Sequence, residues 1–308
     1  MDIQEHIPLS HLTTFQIDGS ARYYTEVTTE EDMVEALSHA RAHGLRHVIL
    51  AGGSNVLVPD EGIDALVIRI VGEHFEIHNT TLIADAGCTL FGLIQSSGKS
   101  GLGGWEKLAG IPGTIGGATR GNAGAFGPEI KDFVTRVRAL HAKTLEVREF
   151  SNAECDFSYR HSFFKDTPEW VLVRVALQLQ NIQPEESARI AIETVAEREK
   201  RHIQNVKAAG SYFMNPVAPK EVQEMFEKEK GVTSRGGRVP AGWLIEKAGM
   251  KGARVGGAIA SLQHPNYIVN AENATASDVR LLAEKIKKAV KAMFAIQLQE
   301  EAVVLESK

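Results

Sequence analysis

The chain has 308 residues, a formal net charge of −5, 43% hydrophobic and 24% charged residues; it exceeds the length at which one core keeps growing, so two or three domains are expected. Acidic and basic residues are interspersed and the balance is acidic, which gives no overall attraction to nucleic acid. No apolar stretch approaches the ~20 residues of a membrane span, the polar start MDIQEHIPLS has no secretory pattern, and Cys88 and Cys155 stand far apart with no C-x-x-C pair, so a reduced, cytoplasmic protein without membrane insertion is expected.

Thr29, followed by Glu30, Glu31 and Asp32, predicts the cap and acidic first turn of a helix with Met33, Val34, Leu37 and Ala40 on one face, ending at Gly44. Residues 47–50 and 65–71 read as apolar strands flanking the loop Ala51-Gly52-Gly53-Ser54-Asn55-Val56-Leu57-Val58, a β-α-β-loop-β unit. Residues 75–86 alternate as short strands and 90–97 read as a helix, before the densest feature of the chain, the run LAGIPGTIGGATRGNAGAFG over 108–127. Glycine lacks the Cβ that blocks close approach and positive φ, so successive N–H groups of such a loop can form a concave donor surface for an anion such as a pyrophosphate. The 51–58 loop supplies a second surface, and two together suggest one long phosphate-bearing cofactor. Neither has the G-x-G-x-x-G spacing of a Rossmann site, whereas the isolated Gly44, Gly62 and Gly72 read as turns.

Residues 134–141, 145–150 and 170–179 read as strands, completing a second α+β unit. Pro184 starts a charged helix through Arg198 and His202, read as a solvent-facing bridge with a domain boundary near 182–206. Helices follow over 220–230 and 241–248, and Ser277 is expected to cap a last helix with Val279, Leu282, Ala283, Ile286, Val290 and Met293 on one face.

Three motifs carry reactive groups. In Phe157-Ser158-Tyr159-Arg160-His161-Ser162-Phe163 the arginine fork matches a carboxylate or phosphate, or closes an internal ion pair, and His161 reads as a solvated loop histidine. Ser211 follows Gly210 in a short apolar turn without the G-x-S-x-G elbow of a hydrolase, and a Gly-Ser turn alone is usually structural. Glu300 and Glu301 precede an apolar tail, where a glutamate pair is more often solvated than catalytic. No His, Cys or carboxylate cluster has metal-ligand spacing, so no metal is expected.

Taken in order, Thr13-Thr14-Phe15, the 51–58 loop, Gly110-Ile-Pro-Gly-Thr-Ile-Gly-Gly117, Asn122-Ala-Gly-Ala125, Tyr159-Arg160, Gly210-Ser211 with Asn215-Pro216, and Ala241-Gly-Trp-Leu-Ile245 closely resemble the UDP-N-acetylenolpyruvoylglucosamine reductases, over nearly the whole chain. The resemblance implies an α+β protein: a two-subdomain FAD-binding domain of the vanillyl-alcohol-oxidase (PCMH) type, over 1–72 and 73–205, then an α+β substrate-binding domain over 206–308. It implies noncovalent FAD held by Ala51, Gly52, Gly53, Ser54, Asn55, Val56 and Leu57 and by Gly110, Pro112, Gly113, Thr114, Gly116, Gly117, Asn122, Ala123 and Gly124. NADPH is the implied hydride donor and a UDP-sugar enolpyruvate the substrate, contacted by Tyr159 and Asn215, with Arg160, Ser211 and Glu301 catalytic and the protein a monomer. The short interval between Arg160 and Ser211 resembles the shorter family form, which lacks an inserted tyrosine-bearing loop. Departures are Arg120-Gly121, where a bulky apolar residue and methionine are common; Met214, where lysine is frequent; and Glu300-Glu301-Ala302-Val303, where Pro-Glu-Val-Arg is usual. Two other readings remain open: a flavin-dependent oxidase on the same scaffold, and a flavin or nucleotide-sugar binding protein without turnover.

Overall fold

Helix α1 (Glu30–Ala42) begins where its local chemistry dictates: the Thr29 side chain accepts the Asp32 N–H, and the Asp32 carboxylate accepts the Thr29 N–H in return. The computed structural model describes residues 1–201 and 206–307, and they fold as an α+β chain of two compact units. The first comprises Met1–Ile7, Ala21–Gly53 and Asp64–Lys200; the second comprises Pro8–Ser20, Ser54–Ile63 and Arg201–Lys308.

The first unit holds two sheets. One orders its strands Gln4–Pro8, Ser20–Val27, Ile63–Ile70, His47–Leu50, the last two being parallel; the other is antiparallel in the order Val147–Ser151, Val134–His141, Trp170–Gln178, Thr81–Asp85, Phe75–His78. Met33, Ala36 and Leu37 of α1 share one cluster with Leu66 and Ile68 of the first sheet and Leu140 and Val171 of the second. Strand side chains alternate between faces, so the neighbouring Val137, Ala139 and Leu172 serve a second, larger core. That core takes in Leu93 and Ile94 of α2 (Leu90–Lys99), Ile115 and Ala118 of α3 (Ile115–Arg120), Phe164 of α4 (Phe163–Asp166) and Ala191 of α5 (Pro184–Arg201).

Two expectations need correction here. The charged helix α5 is not a solvated bridge: Ser187, Ala191 and Thr194 are buried, and the Ser187 hydroxyl donates to Glu106 Oε1 at 2.7 Å. A stripe of small residues three or four apart packs closely, and a count of charges overlooks it. The glycine run is not all loop, because Thr114 caps a helical turn within it. His202 lies outside the described residues.

In the second unit α6 (Lys220–Lys230), α7 (Ala241–Lys247) and α8 (Ala276–Phe294) surround a three-stranded sheet of Arg254–Val255, Ala258–Ala260 and Ile268–Asn270. Phe15, Ile17 and Leu57 join its core beside Tyr212, Leu244 and Ile286. The cap of α8 is Thr275, not Ser277, whose hydroxyl donates to Asp60; Met293 is exposed and Phe294 takes the buried place. Among the described residues no helix is long and apolar enough to cross a membrane. Both cysteines are free and buried, and burial pushes the Cys88 and Cys155 thiols up to about 11 and about 12.

Candidate functional site

The two glycine runs meet in the first unit. A Cβ on Gly52 would stand 2.8 Å from Gly113 Cα, so only a bare backbone fits there. Gly53 and Gly113 have φ of +62° and +109°, and among the described residues the N–H groups of Gly52, Gly53 and Gly113 donate to no protein acceptor. Gly117 is exposed, with no neighbour closer than 3.6 Å to a Cβ built on it. Other donors of the run are spent. Ile115 and Gly116 N–H donate to Cys88 O and Ala86 O at 2.8 and 3.0 Å, and Gly117 N–H donates to the Thr114 hydroxyl at 3.2 Å. Gly116 serves packing, since a Cβ there would lie 2.7 Å from Ala86 Cβ. The expected donor surface is therefore a shorter strip, because the carbonyls of Cys88 and Ala86 and the Thr114 hydroxyl take the N–H groups at the start of the helical turn.

Beyond α3 the run is held by side chains. Asn122 is fully buried, its Nδ2 donating to Glu129 Oε2 at 3.0 Å and Ser158 O at 2.7 Å while its Oδ1 accepts Lys131 N–H at 3.2 Å. That side chain is committed to the scaffold and leaves Asn122 only main-chain groups for a ligand. Ser158 and His161 exchange main-chain hydrogen bonds at 3.1 Å, making Tyr159-Arg160 a two-residue turn. Arg160 sits at φ +58°, a conformation that costs a side-chain-bearing residue free energy and marks a position held by its surroundings. Its Nη2 donates to Gly124 O at 3.2 Å and its guanidinium lies 5.5 Å from the centre of the Tyr159 ring. Ser162, donating to Arg120 O at 2.7 Å, ties the other side of the turn to the glycine run. His161 Nε2 is 2.9 Å from Asp166 Oδ2.

The other predicted catalytic residues, Ser211 and Glu301, come together in the second unit. The C-terminal tail runs between two segments: Phe213 bridges Glu300 antiparallel on one side, and Val303 and Val304 pair parallel with Val56 and Leu57 on the other. Glu301 N–H donates to Tyr212 O at 2.8 Å, and Glu301 O accepts from Asn55 Nδ2 at 3.0 Å. Ser211 immediately precedes this contact; it is half-buried, and its hydroxyl has no hydrogen-bond partner among the described residues. Asn215 Oδ1 accepts the Ala241 N–H at 2.9 Å, closing the start of α7.

Residues 201–305 match the family described as UDP-N-acetylenolpyruvoylglucosamine reductase, C-terminal domain, and residues 21–148 match an FAD binding domain. The chain is 34% identical to the UDP-N-acetylenolpyruvoylglucosamine reductase of Solibacter usitatus, over 96% of this chain and 94% of that one. It is 33% identical to that of Pseudomonas aeruginosa, over 98% of both. The chain belongs to the UDP-N-acetylenolpyruvoylglucosamine reductases. The crystal structure of the Thermus caldophilus reductase matches it with a TM-score of 0.78 at 31% identity, covering 99% of this chain and 100% of that one. The protein is thus an FAD-containing oxidoreductase, its FAD-binding domain followed by the C-terminal domain of the family. The strip of bare backbone at Gly52, Gly53 and Gly113, with its unspent N–H groups, fits the pyrophosphate of FAD.

The reductase departs from its family's motifs at places with a visible structural counterpart. Glu300, in place of proline, is bonded through its carboxylate to Lys287 of α8 at 3.0 Å. Arg120 has no hydrogen-bond or ion-pair partner for its guanidinium among the described residues, and burial lowers its pKa from the usual arginine value. Sequence reasoning missed Asn266. It is 3% exposed, its Oδ1 accepting Phe213 N–H at 3.0 Å and its Nδ2 donating to Phe213 O at 2.9 Å. A lone asparagine between Pro265 and Tyr267 carries no sequence signal for such a clamp.

Proposed function

We propose that the protein reduces the enolpyruvyl group of UDP-N-acetylglucosamine enolpyruvate to UDP-N-acetylmuramate, with NADPH as hydride donor and noncovalent FAD, in the cytoplasmic synthesis of peptidoglycan precursors. The observation that carries this reading is the pairing of the Ser211 turn with the Glu301 tail inside the C-terminal domain of this family. The FAD-binding part divides at 72/73 and the substrate-binding domain begins at 206 in this reading. Held at Gly52, Gly53 and Gly113, FAD would supply two-electron hydride chemistry between NADPH and the vinyl carbon of the substrate.

The chain's own residues handle charge and proton. Hydride addition places negative charge on the neighbouring carbon and its carboxylate, and the fixed guanidinium of Arg160 together with a protonated Glu301 stabilises it. The Ser211 hydroxyl protonates that carbon, forming the new C–H bond, and regains its proton from solvent. A serine is a weak acid, yet an enolate-like carbanion held within hydrogen-bond reach is basic enough to take its proton. Tyr159 and Asn215 contact the substrate.

The test is the spectrum of the FAD-loaded protein under anaerobic conditions. NADPH should bleach the flavin and the enolpyruvyl substrate should restore its colour. Restoration by oxygen as fast as by substrate would make it an oxidase, and no bleaching at all would make it a binding protein. Arg160→Ala and Glu301→Gln should slow only the return of colour; wild-type return in either would remove that residue from the chemistry.

A further inference from the structure

We propose that the Lys287–Glu300 ion pair is a positioning device that orients the carboxyl group of Glu301. The proposal rests on the catalytic reading of Glu301 given above. Lys287 is 17% exposed and Glu300 27%, and Lys287 Nζ donates to Glu300 Oε1 at 3.0 Å. Lys287 is also bonded to Glu284, one turn earlier on α8. Burial by itself would lower the Lys287 ammonium, but the hydrogen bonds from Glu284 and Glu300 outweigh it and hold it above the ordinary lysine value. Its charge therefore persists across the working pH range.

The tie acts at a register-sensitive place. The main chain of Glu301 is held on both sides, by Tyr212 O and by Asn55 Nδ2. These main-chain bonds set the register of the tail, and the tie of Glu300 to α8 adds a side-chain restraint one residue away from Glu301. In an extended segment successive side chains turn to opposite faces, and a slip of one residue exchanges them. Anchoring Glu300 to α8 therefore reinforces the register that keeps Glu300 and Glu301 on opposite faces of the tail. Two adjacent glutamates of like chemistry make a restraint on that register consequential, because a slip of one residue would exchange them.

The experiment uses the FAD-loaded protein and measures four quantities for each variant: flavin reduction by NADPH, the limiting rate of flavin reoxidation by the enolpyruvyl substrate, the substrate concentration giving half that rate, and the melting temperature. Misplacing a reacting group by about 1 Å can cost about 10²-fold, so Lys287→Met and Glu300→Gln should each lower the limiting reoxidation rate about tenfold to 10²-fold. Reduction by NADPH should stay at the wild-type rate and half-saturation should change little. Lys287→Arg, which keeps the tie, should recover most of the rate, and the double variant should be no slower than the worse single one. Wild-type reoxidation in both single variants overturns the proposal, as does a fall in both half-reactions that tracks the melting temperature. Glu301→Gln separates the two claims: if it alone slows reoxidation, only the positioning role fails, and if it has no effect, the catalytic reading of Glu301 fails and the positioning role with it.

Discussion

Replacing Asn266 by alanine isolates the side chain that clamps the main chain at Phe213, two residues after Ser211. Asn266 is 3% exposed and Phe213 1%, and both main-chain polar groups of Phe213 end on the Asn266 side chain, at 3.0 and 2.9 Å. Truncation leaves a donor and an acceptor unsatisfied in a dry interior, each costing about 1–3 kcal/mol, or roughly 2–6 together. The space vacated is polar and can admit water, so the lower part of that range, about 2–4 kcal/mol, is expected. Against a total stability of about 5–15 kcal/mol this is a large loss, equivalent to a fall of roughly 6–12 °C in melting temperature at about 3 °C per kcal/mol. The effect reaches the chemistry, because Tyr212 O, adjacent to the clamp, receives the Glu301 N–H. Calorimetry of the FAD-loaded protein gives the first number and flavin reoxidation by substrate the second. A melting temperature within about 1 °C of wild type, together with unchanged reoxidation, would show that the clamp carries neither stability nor geometry.

The remaining expectations concern other parts of the molecule. Ser211→Ala should leave reduction by NADPH intact and slow reoxidation by about 10²–10⁴-fold, with Ser211→Cys retaining more; equal impairment of both half-reactions would make Ser211 structural. Gly117→Val should abolish FAD binding without unfolding the apoprotein, since its Cβ meets nothing closer than 3.6 Å, whereas Gly116→Val, 2.7 Å from Ala86 Cβ, should destabilise the fold itself; FAD titration with thermal melts distinguishes them, and normal FAD affinity in Gly117→Val counts against the cradle. Asp60 accepts from Ala276 N–H at 2.5 Å and from the Ser277 N–H and hydroxyl at 2.9 and 2.7 Å, and although burial alone would raise its carboxyl, these bonds hold it below the ordinary aspartate value. Its stabilisation is present above the unfolded pKa, about 3.9, and is lost as pH falls through the lower folded value. Asp60→Asn should therefore cost about 1 kcal/mol at neutral pH, with the difference from wild type closing in strong acid; a difference independent of pH would assign the effect to packing.

Local chemistry was readable in the sequence for several elements, though not at α8, capped by Thr275 and not Ser277, nor at the turn capped by Thr114. Thr29 and Asp32 cap α1, and the apolar runs at His47–Leu50 and Ile63–Ile70 became parallel strands, because capping and periodicity are properties of the segment itself. Motif order by itself proposes Gly52, Gly113, Arg160, Ser211 and Glu301 as site residues. What the sequence left open depends on partners distant along the chain. Whether a glycine N–H is available to a ligand is decided by whether a carbonyl such as Ala86 O or Cys88 O has already taken it. The helix α5 reads as solvated by charge, and only packing reveals the stripe of Ser187, Ala191 and Thr194. The tie of Glu300 to α8 is decided by Lys287, and the main chain at Phe213, two residues after Ser211, is clamped by Asn266. Hydrogen bonds and ion pairs between remote segments leave no periodic trace in either partner, so only the tertiary structure could assign them.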